Sequence, residues 1–156
     1  MSGETERRLA ELGVTLPTPT APAANYVPVV KSGNQLFVSG QLPMGADGLT
    51  CKGKVGADVS IEDAREAAKL CAINILAQAK AALGGDLGKL VRIVKLTGFV
   101  NSVPDFGDQP KIINGASDFL VDVLGDRGRH ARSAVSAGAL PFNAAVEVEA
   151  IIEVAG

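Results

Sequence analysis

The residue of this sequence with the clearest chemical potential is Arg132, which stands between two small residues after a glycine-rich turn over residues 125–129. A planar guanidinium in such a place could hold a carboxylate through two parallel hydrogen bonds. The alternative is a surface arginine in a basic loop beside Arg127 and Arg129, and the residues alone favour that alternative.

Two acidic residues, Glu147 and Glu149, alternate with apolar residues near the end of the chain. Alternation predicts a strand, in which these two side chains share one face. A solvated outer face is the usual meaning of the pattern. The other interpretation is that one carboxylate faces a cavity and positions a water molecule. The period of two does not distinguish them.

Other kinds of site find little support in the sequence. No GxSxG, HExxH, Walker or GxGxxG motif is present, and the single histidine, His130, has no nucleophilic serine motif near it, which disfavours a hydrolytic triad. A structural zinc site needs four Cys or His ligands, whereas the chain offers only Cys51, Cys71 and His130. The sequence therefore predicts no metal site.

Composition indicates one globular domain without a membrane span. The 156 residues are 47% hydrophobic and 21% charged, and the net charge of −2 argues against a general electrostatic grip on nucleic acid. The N-terminus carries charges with no apolar run behind them, and no apolar stretch approaches the roughly 20 residues of a membrane helix. Two isolated cysteines suit a reducing compartment, so we expect a cytoplasmic protein.

Hydrophobic periodicity predicts the elements that must position these residues. The order of strands and helices suits an α+β domain with two main helices on one face of a sheet. Residues 40–58, rich in glycine, are expected to form a loop. The expected helices cover residues 2–13, 60–83 and 110–124; the expected strands cover 26–30, 35–39, 91–100 and 144–154, with an extended segment around 133–135.

Local signals refine three of these elements. Ser2 can cap the first helix, and residues 60–63 approach a capping box for the second, which Gly84 and Gly85 end. Strict alternation over residues 91–100 puts Val91, Ile93, Lys95, Thr97 and Phe99 on one face of that strand. Both faces are then mainly apolar, so the strand is expected to be covered on both sides.

Four segments in succession resemble the motifs of the RidA/YjgF family. The similarity extends from about Pro22 to Val154 and includes the order of the alanine-rich helix and the strand over residues 94–100. Ala134 and His130 stand where the family often has cysteine and proline, and residues 105–113 are longer, so the chain is similar to a longer subgroup often labelled endoribonuclease L-PSP-like. The segments are PAANYV (22–27), LFVSGQLP (36–43), ARS (131–133) and VEVEA (146–150).

The resemblance implies a fold and an activity. It implies a chorismate-mutase-like sheet, a homotrimer with ligand clefts between adjacent subunits, and hydrolysis of reactive 2-enamine and 2-imine acids to 2-keto acids and ammonia. It implies no metal or organic cofactor. An imine is already electrophilic, so such an enzyme needs a fixed carboxylate, an aimed water and a proton source rather than a strong nucleophile.

The resemblance also assigns roles to residues by position. Arg132 matches the arginine that pairs with the substrate carboxylate, and Glu147 matches the acid that orients the attacking water. The remaining binding residues are those that match the lining of the cleft: Tyr26, Ser39, Gly40, Asn114 and Ser133.

Three functions are therefore considered. The first is an imine or enamine deaminase, and the second is a non-catalytic, metabolite-sensing binder of small carboxylates that uses the same Arg132 pocket. The third, an RNA-cleaving or translation-inhibiting protein, is disfavoured by the acidic balance and by strands poor in aromatic stacking platforms. Residues 1–20 are expected to form a helix and an extended linker, and residues 21–156 the single domain.

Overall fold

The fold is built on one mixed sheet of five strands. The computed structural model describes residues 2–19 and 24–156. The spatial order is β1-β2-β7-β5-β6, in which β6 runs parallel to β5 and the other neighbours are antiparallel. The strands are β1 (Val29–Ser32), β2 (Gln35–Gln41), β5 (Leu90–Asn101), β6 (Ala131–Ala137) and β7 (Val146–Val154); a small separate hairpin pairs β3 (Met44–Gly45) with β4 (Gly48–Leu49).

Three α-helices accompany the sheet: α1 (Ser2–Glu11), α2 (Ile61–Ala82) and α3 (Gln109–Leu124). The predicted α+β architecture is confirmed, and α2 and α3 pack on one face of the sheet, where their buried residues join those of the strands in one core. This side is called the helix face below. The opposite side is called the open face, and it leaves Phe37 and Val135 more than 40% exposed.

The second helix begins and ends where its sequence signals predict. The Ser60 hydroxyl accepts a hydrogen bond from the Asp63 amide at 3.1 Å, which satisfies one of the free amides of the first turn. Beyond the helix, Gly84 and Gly85 take positive φ values of 69° and 93°, which release the chain from helical geometry. The small residues on the sheet side of α2 are fully buried, so the α2 backbone lies close to the sheet; they are Ala64, Ala68, Cys71, Ala72 and Ala79.

Close packing also fixes α3. Gly115 faces α2 so tightly that a Cβ there would overlap the Arg65 carbonyl, and Gly98 of β5 would overlap Ile113 in the same way. Gly125 ends the helix with a φ of 63°, so the next turn leads directly into β6. The glycines therefore set the distance between α3, α2 and the sheet.

Two expectations about the strands are wrong in detail. The register of β5 against β7 shifts between Leu90 and Arg92 and again between Ile93 and Lys95. These irregularities turn Ile93 into the core, where it is fully buried with Leu96, so the strict alternation expected for residues 91–100 fails. The expected loop over residues 40–58 contains the end of β2 and the β3–β4 hairpin.

The N-terminal helix is docked onto the domain. Leu9 is buried in the main core, the Arg8 guanidinium donates to the Asp122 carbonyl, and Arg127 reaches the buried Thr5 hydroxyl at 3.0 Å. The division at residue 20 stays a prediction. The Ser2 side chain and the segment 20–23, which includes Pro22, lie outside the described part.

Candidate functional site

Arg132 is held on the helix face by neutral side chains. Its Cα partner on β5 is Leu96, which is fully buried under the helices, so both side chains point to that face. One terminal nitrogen, Nη1, donates to the Asn114 Oδ1 at 2.8 Å and to the Ser117 hydroxyl at 3.2 Å. Two polar positions one turn apart on α3 thus fix a half-buried guanidinium at the edge of the sheet.

Arg132 forms no ion pair with an acidic side chain within residues 2–19 and 24–156. The ion pairs there involve Arg7, Lys80, Lys111 and Arg129, and none of them includes Arg132. Its Nε and Nη2 atoms make no hydrogen bond to the described protein. A half-buried cation without a carboxylate is suited to an anionic ligand, since burial increases the attraction between opposite charges.

His130 and Ser117 extend the group. His130 Nε2 lies 2.9 Å from the Ser117 Oγ, and Nδ1 lies 2.6 Å from the Gly128 carbonyl. Burial and the Arg132 charge lower the pKa of His130, although the Gly128 carbonyl opposes this. Ser117 was missed by the sequence reasoning; its position three residues after Asn114 on one face of a helix is the signal that could have found it. Asn114, Ser117, His130 and Arg132 are called the arginine cluster below.

A shallow depression of about 270 Å³ adjoins the arginine cluster and is lined partly by Ser117, His130 and Arg132. A larger cavity, of about 650 Å³, lies between residues 12–14, Cys51 and α2, and no predicted site residue lines it. The larger cavity and the predicted site residues therefore lie in different parts of the protein. We favour the smaller depression because it holds the uncompensated guanidinium.

Glu147 belongs to a second group, on the open face. Its Cα partner is Phe99, and its carboxylate lies directly over Gly40, where a Cβ would overlap it. Burial raises the pKa of the Glu147 carboxyl, and the charge of Glu149 raises it further. Ser39 is half-buried beside Gly40 and donates through its hydroxyl to the Pro28 carbonyl at 3.1 Å.

The two groups cannot meet within one chain. Glu147 is level with Val135, three residues beyond Arg132 along β6, and β5 lies between the two strands. At about 3.3 Å per residue and about 4.8 Å per strand, the two Cα atoms are on the order of 14 Å apart, with side chains on opposite faces. The carboxylate and imine carbons of a 2-imino acid are directly bonded, so no such ligand could contact both residues of one protomer.

Three of the other five predicted binding residues divide between the two groups. Asn114 contacts Arg132 directly, whereas Ser39 and Gly40 lie with Glu147. Ser133 is exposed and shares the open face with Thr97, its Cα partner. Tyr26 precedes β1 and is 59% exposed.

The cysteines are poor nucleophiles. Burial raises the pKa of Cys71 well above its usual value and raises that of Cys51 to a smaller extent, so both thiols are protonated at neutral pH. In the described part of the chain, no three His, Cys, Asp or Glu side chains come together as metal ligands. The same residues contain no helix with the length and hydropathy needed to span a bilayer.

Comparison with known proteins defines the family. Residues 6–154 match the family model described as "YjgF/chorismate mutase-like, putative endoribonuclease". Protein TCP17 of Trypanosoma cruzi is 48% identical over 97% of this chain and 95% of its own length. The crystal structure of Atu1372 from Agrobacterium tumefaciens, a protein of unknown function, is 56% identical with a TM-score of 0.91, over 98% of this chain and 95% of the other.

A more distant structure is TdcF of E. coli, solved with bound serine, at 26% identity and a TM-score of 0.61 over 89% of this chain and 94% of TdcF. The chain belongs to the YjgF/RidA family, as its motifs predicted.

Proposed function

We propose that the protein is a hydrolytic deaminase of reactive 2-enamine and 2-imine acids, which it converts to 2-keto acids and ammonia. Arg132 holds the substrate carboxylate and Glu147 orients the attacking water. The observation that carries the proposal is the half-buried Arg132 guanidinium, which Asn114 and Ser117 fix in place without neutralising it. TdcF, which has a similar fold and is 26% identical to this chain, was solved with bound serine, a small 2-amino carboxylate.

The separation of the two groups gives this proposal a definite geometry. Because Arg132 and Glu147 lie on opposite faces of one sheet, the site takes Arg132 from one protomer and Glu147 from its neighbour. The open face supports association, since it exposes Phe37 and Val135 on either side of the central strands. We expect a homotrimer, as in the family, with one cleft at each interface; the mass of the native oligomer measures this.

The chemistry requires little beyond these groups. Arg132 fixes the carboxylate so that the imine carbon faces the Glu147 carboxylate of the neighbour. That carboxylate accepts a proton from water as the water adds to the protonated imine, and the raised pKa makes it a better proton acceptor. Glu147 then passes this proton to the nitrogen of the carbinolamine; as the C–N bond breaks, the hydroxyl group returns a proton to Glu147, and the 2-keto acid and ammonia leave. Gly40 has no side chain, which leaves room for the carboxylate next to the backbone.

The test generates 2-iminobutanoate in situ with an amino-acid oxidase and traps it with semicarbazide. The wild-type protein is expected to lower the semicarbazone signal, and Arg132→Ala is expected to lose this effect. Arg7→Ala is a matched control, because Arg7 is an exposed arginine of α1 paired with Glu11. Equal activity of Arg132→Ala and the control would contradict the proposal.

The second candidate is a non-catalytic binder of small carboxylates that uses the same arginine cluster. Ala134 and His130, which replace residues common in the family, favour it. An inactive wild type that binds 2-oxobutanoate through Arg132 would select this candidate. RNA cleavage, which the family description mentions, has less support because the net charge is −2 and the chain has one tyrosine, five phenylalanines and no tryptophan.

A further inference from the structure

The hydrogen bonds of the arginine cluster have a fixed direction. The Gly128 carbonyl can only accept, so His130 Nδ1 carries the hydrogen at this 2.6 Å contact. In the neutral ring Nε2 is then an acceptor, and the Ser117 hydroxyl donates to it. This leaves the Ser117 oxygen free to accept from Arg132, as it does at 3.2 Å. The three contacts from His130 to Gly128, from Ser117 to His130 and from Arg132 to Ser117 therefore each join a donor to an acceptor when His130 is neutral.

Protonation of Nε2 gives the His130 ring a positive charge close to that of Arg132. The imidazolium and the guanidinium would then both donate to one hydroxyl oxygen, and their like charges would repel each other. An anionic ligand on the free edge of Arg132 would relieve this repulsion. Protonation of His130 makes the Ser117 hydroxyl rotate whether or not a ligand is bound. The free-energy cost of this rotation therefore cancels when the His130 pKa is compared with and without ligand.

We propose that His130, coupled through Ser117 to Arg132, is a further residue of the carboxylate site, where it takes up a proton when a small carboxylate binds. The inference rests on the proposed function, since it needs Arg132 to hold the ligand. His130 acts on Arg132 through the Ser117 hydroxyl and does not itself contact the substrate, so it is a positioning residue. Carboxylate binding is accordingly tighter when the pH falls through the His130 titration.

Other charges around His130 come from each neighbouring element. Asp118 of α3 and Arg129 line the same depression, and Arg129 pairs with Asp126 of the preceding turn at 3.3 Å. From β5, Arg92 donates to the Arg129 carbonyl, and Lys95 pairs through its backbone with Ala131. In the described part of the chain, no hydrogen bond or ion pair joins the side chains of these charged residues to His130 or Arg132, whereas the Ser117 hydroxyl contacts both.

His130 is the only histidine of the chain, so its ring signals in an NMR spectrum need no assignment by mutation. We would titrate them between pH 5 and 8 with and without saturating 2-oxobutanoate, which stays ionised throughout. The expected result is a higher His130 pKa in the ligand complex. A rise of about half a pH unit corresponds to roughly threefold tighter binding below the His130 titration than above it. The pKa of Glu147 is also raised, so titration of Glu147 could change the affinity with pH as well. The His130 ring signals are therefore the decisive measurement.

Two variants separate coupling from structural support. Ser117→Ala removes the bridging hydroxyl and is expected to reduce the ligand-induced shift of His130. His130→Gln keeps an acceptor for the Ser117 hydroxyl but does not titrate, so it is expected to bind 2-oxobutanoate as the neutral wild type does and to lose the histidine part of the pH dependence. A merely structural histidine would show neither effect.

The outcomes distinguish the two proposals. If 2-oxobutanoate binds through Arg132 while the His130 titration stays unchanged, the inference about His130 is wrong and the carboxylate site stands. If 2-oxobutanoate fails to bind at any pH, both are overturned.

Discussion

Replacement of Gly40 by alanine perturbs Glu147 without touching the arginine cluster. A Cβ at position 40 would overlap the Glu147 Oε2 atom and lie 2.8 Å from its Cδ and 3.0 Å from its Cγ. Ordinary contacts of this kind are about 3.5 Å or longer, so the carboxylate must move by about 1 Å. The atoms in the way belong to the end of a flexible side chain, so the fold can absorb the change.

The expected effect is therefore mainly on catalysis. Displacement of a catalytic group by about 1 Å can cost on the order of 100-fold in rate, and we expect such a loss in kcat/KM for 2-iminobutanoate in the semicarbazide assay. The affinity for 2-oxobutanoate should change by no more than about twofold, because Arg132 dominates carboxylate binding and the atoms nearest the added methyl group belong to Glu147.

Two controls make the result decisive. Gly107→Ala adds the same methyl group where no atom lies within 4 Å, so it should behave as wild type. In a Glu147→Gln background, Gly40→Ala should add little, since the group that it displaces is already disabled. Unchanged kcat/KM in Gly40→Ala, or a full additional loss in the double variant, would refute the role given to Glu147.

Three further predictions concern the site and its support. Arg132→Lys keeps the charge but loses the planar fork and the contact geometry with α3, so calorimetry should show binding of 2-oxobutanoate weakened by about tenfold or more; equal affinity would contradict a bidentate contact. Glu147→Gln should raise the melting temperature at pH 7, because the folded pKa lies above the unfolded value and stability falls as pH rises between the two; the gain should vanish below about pH 4. Gly98→Ala would crowd Ile113, whose Cγ1 and Cγ2 lie 2.6 and 2.9 Å from the added Cβ, and should cost about 1–3 kcal/mol in urea unfolding.

Elements with strong local signals could be predicted from the sequence. Ser60 and the glycines at 84–85 define α2 at both ends, and the alternation from Val146 to Val154 gives β7 with Glu147 and Glu149 on one face. These signals depend on residues that are close in sequence, and here they agree with the tertiary fold. The resemblance to the family motifs predicted the type of sheet and identified the residues to test.

Features set by tertiary packing could not be predicted in the same way. The irregular register of β5 brings Ile93 into the core because burial of a large side chain outweighs regular pairing, and no residue pattern marks the shift. Ser117 gains its role through contact with His130, 13 residues away. The opposite orientation of Arg132 and Glu147 follows from the pairing of β5 with both β6 and β7, which the sequence does not specify.

Mixed oligomers test most directly whether two protomers share one site. Arg132→Ala and Glu147→Gln are each expected to be inactive, but when both are coexpressed with different tags, random assortment places an intact Arg132 opposite an intact Glu147 in about one quarter of the interfaces. The account predicts that the purified mixture recovers about that share of wild-type imine hydrolysis. Full inactivity of verified mixed oligomers would contradict the claim that Arg132 and Glu147 come from different protomers.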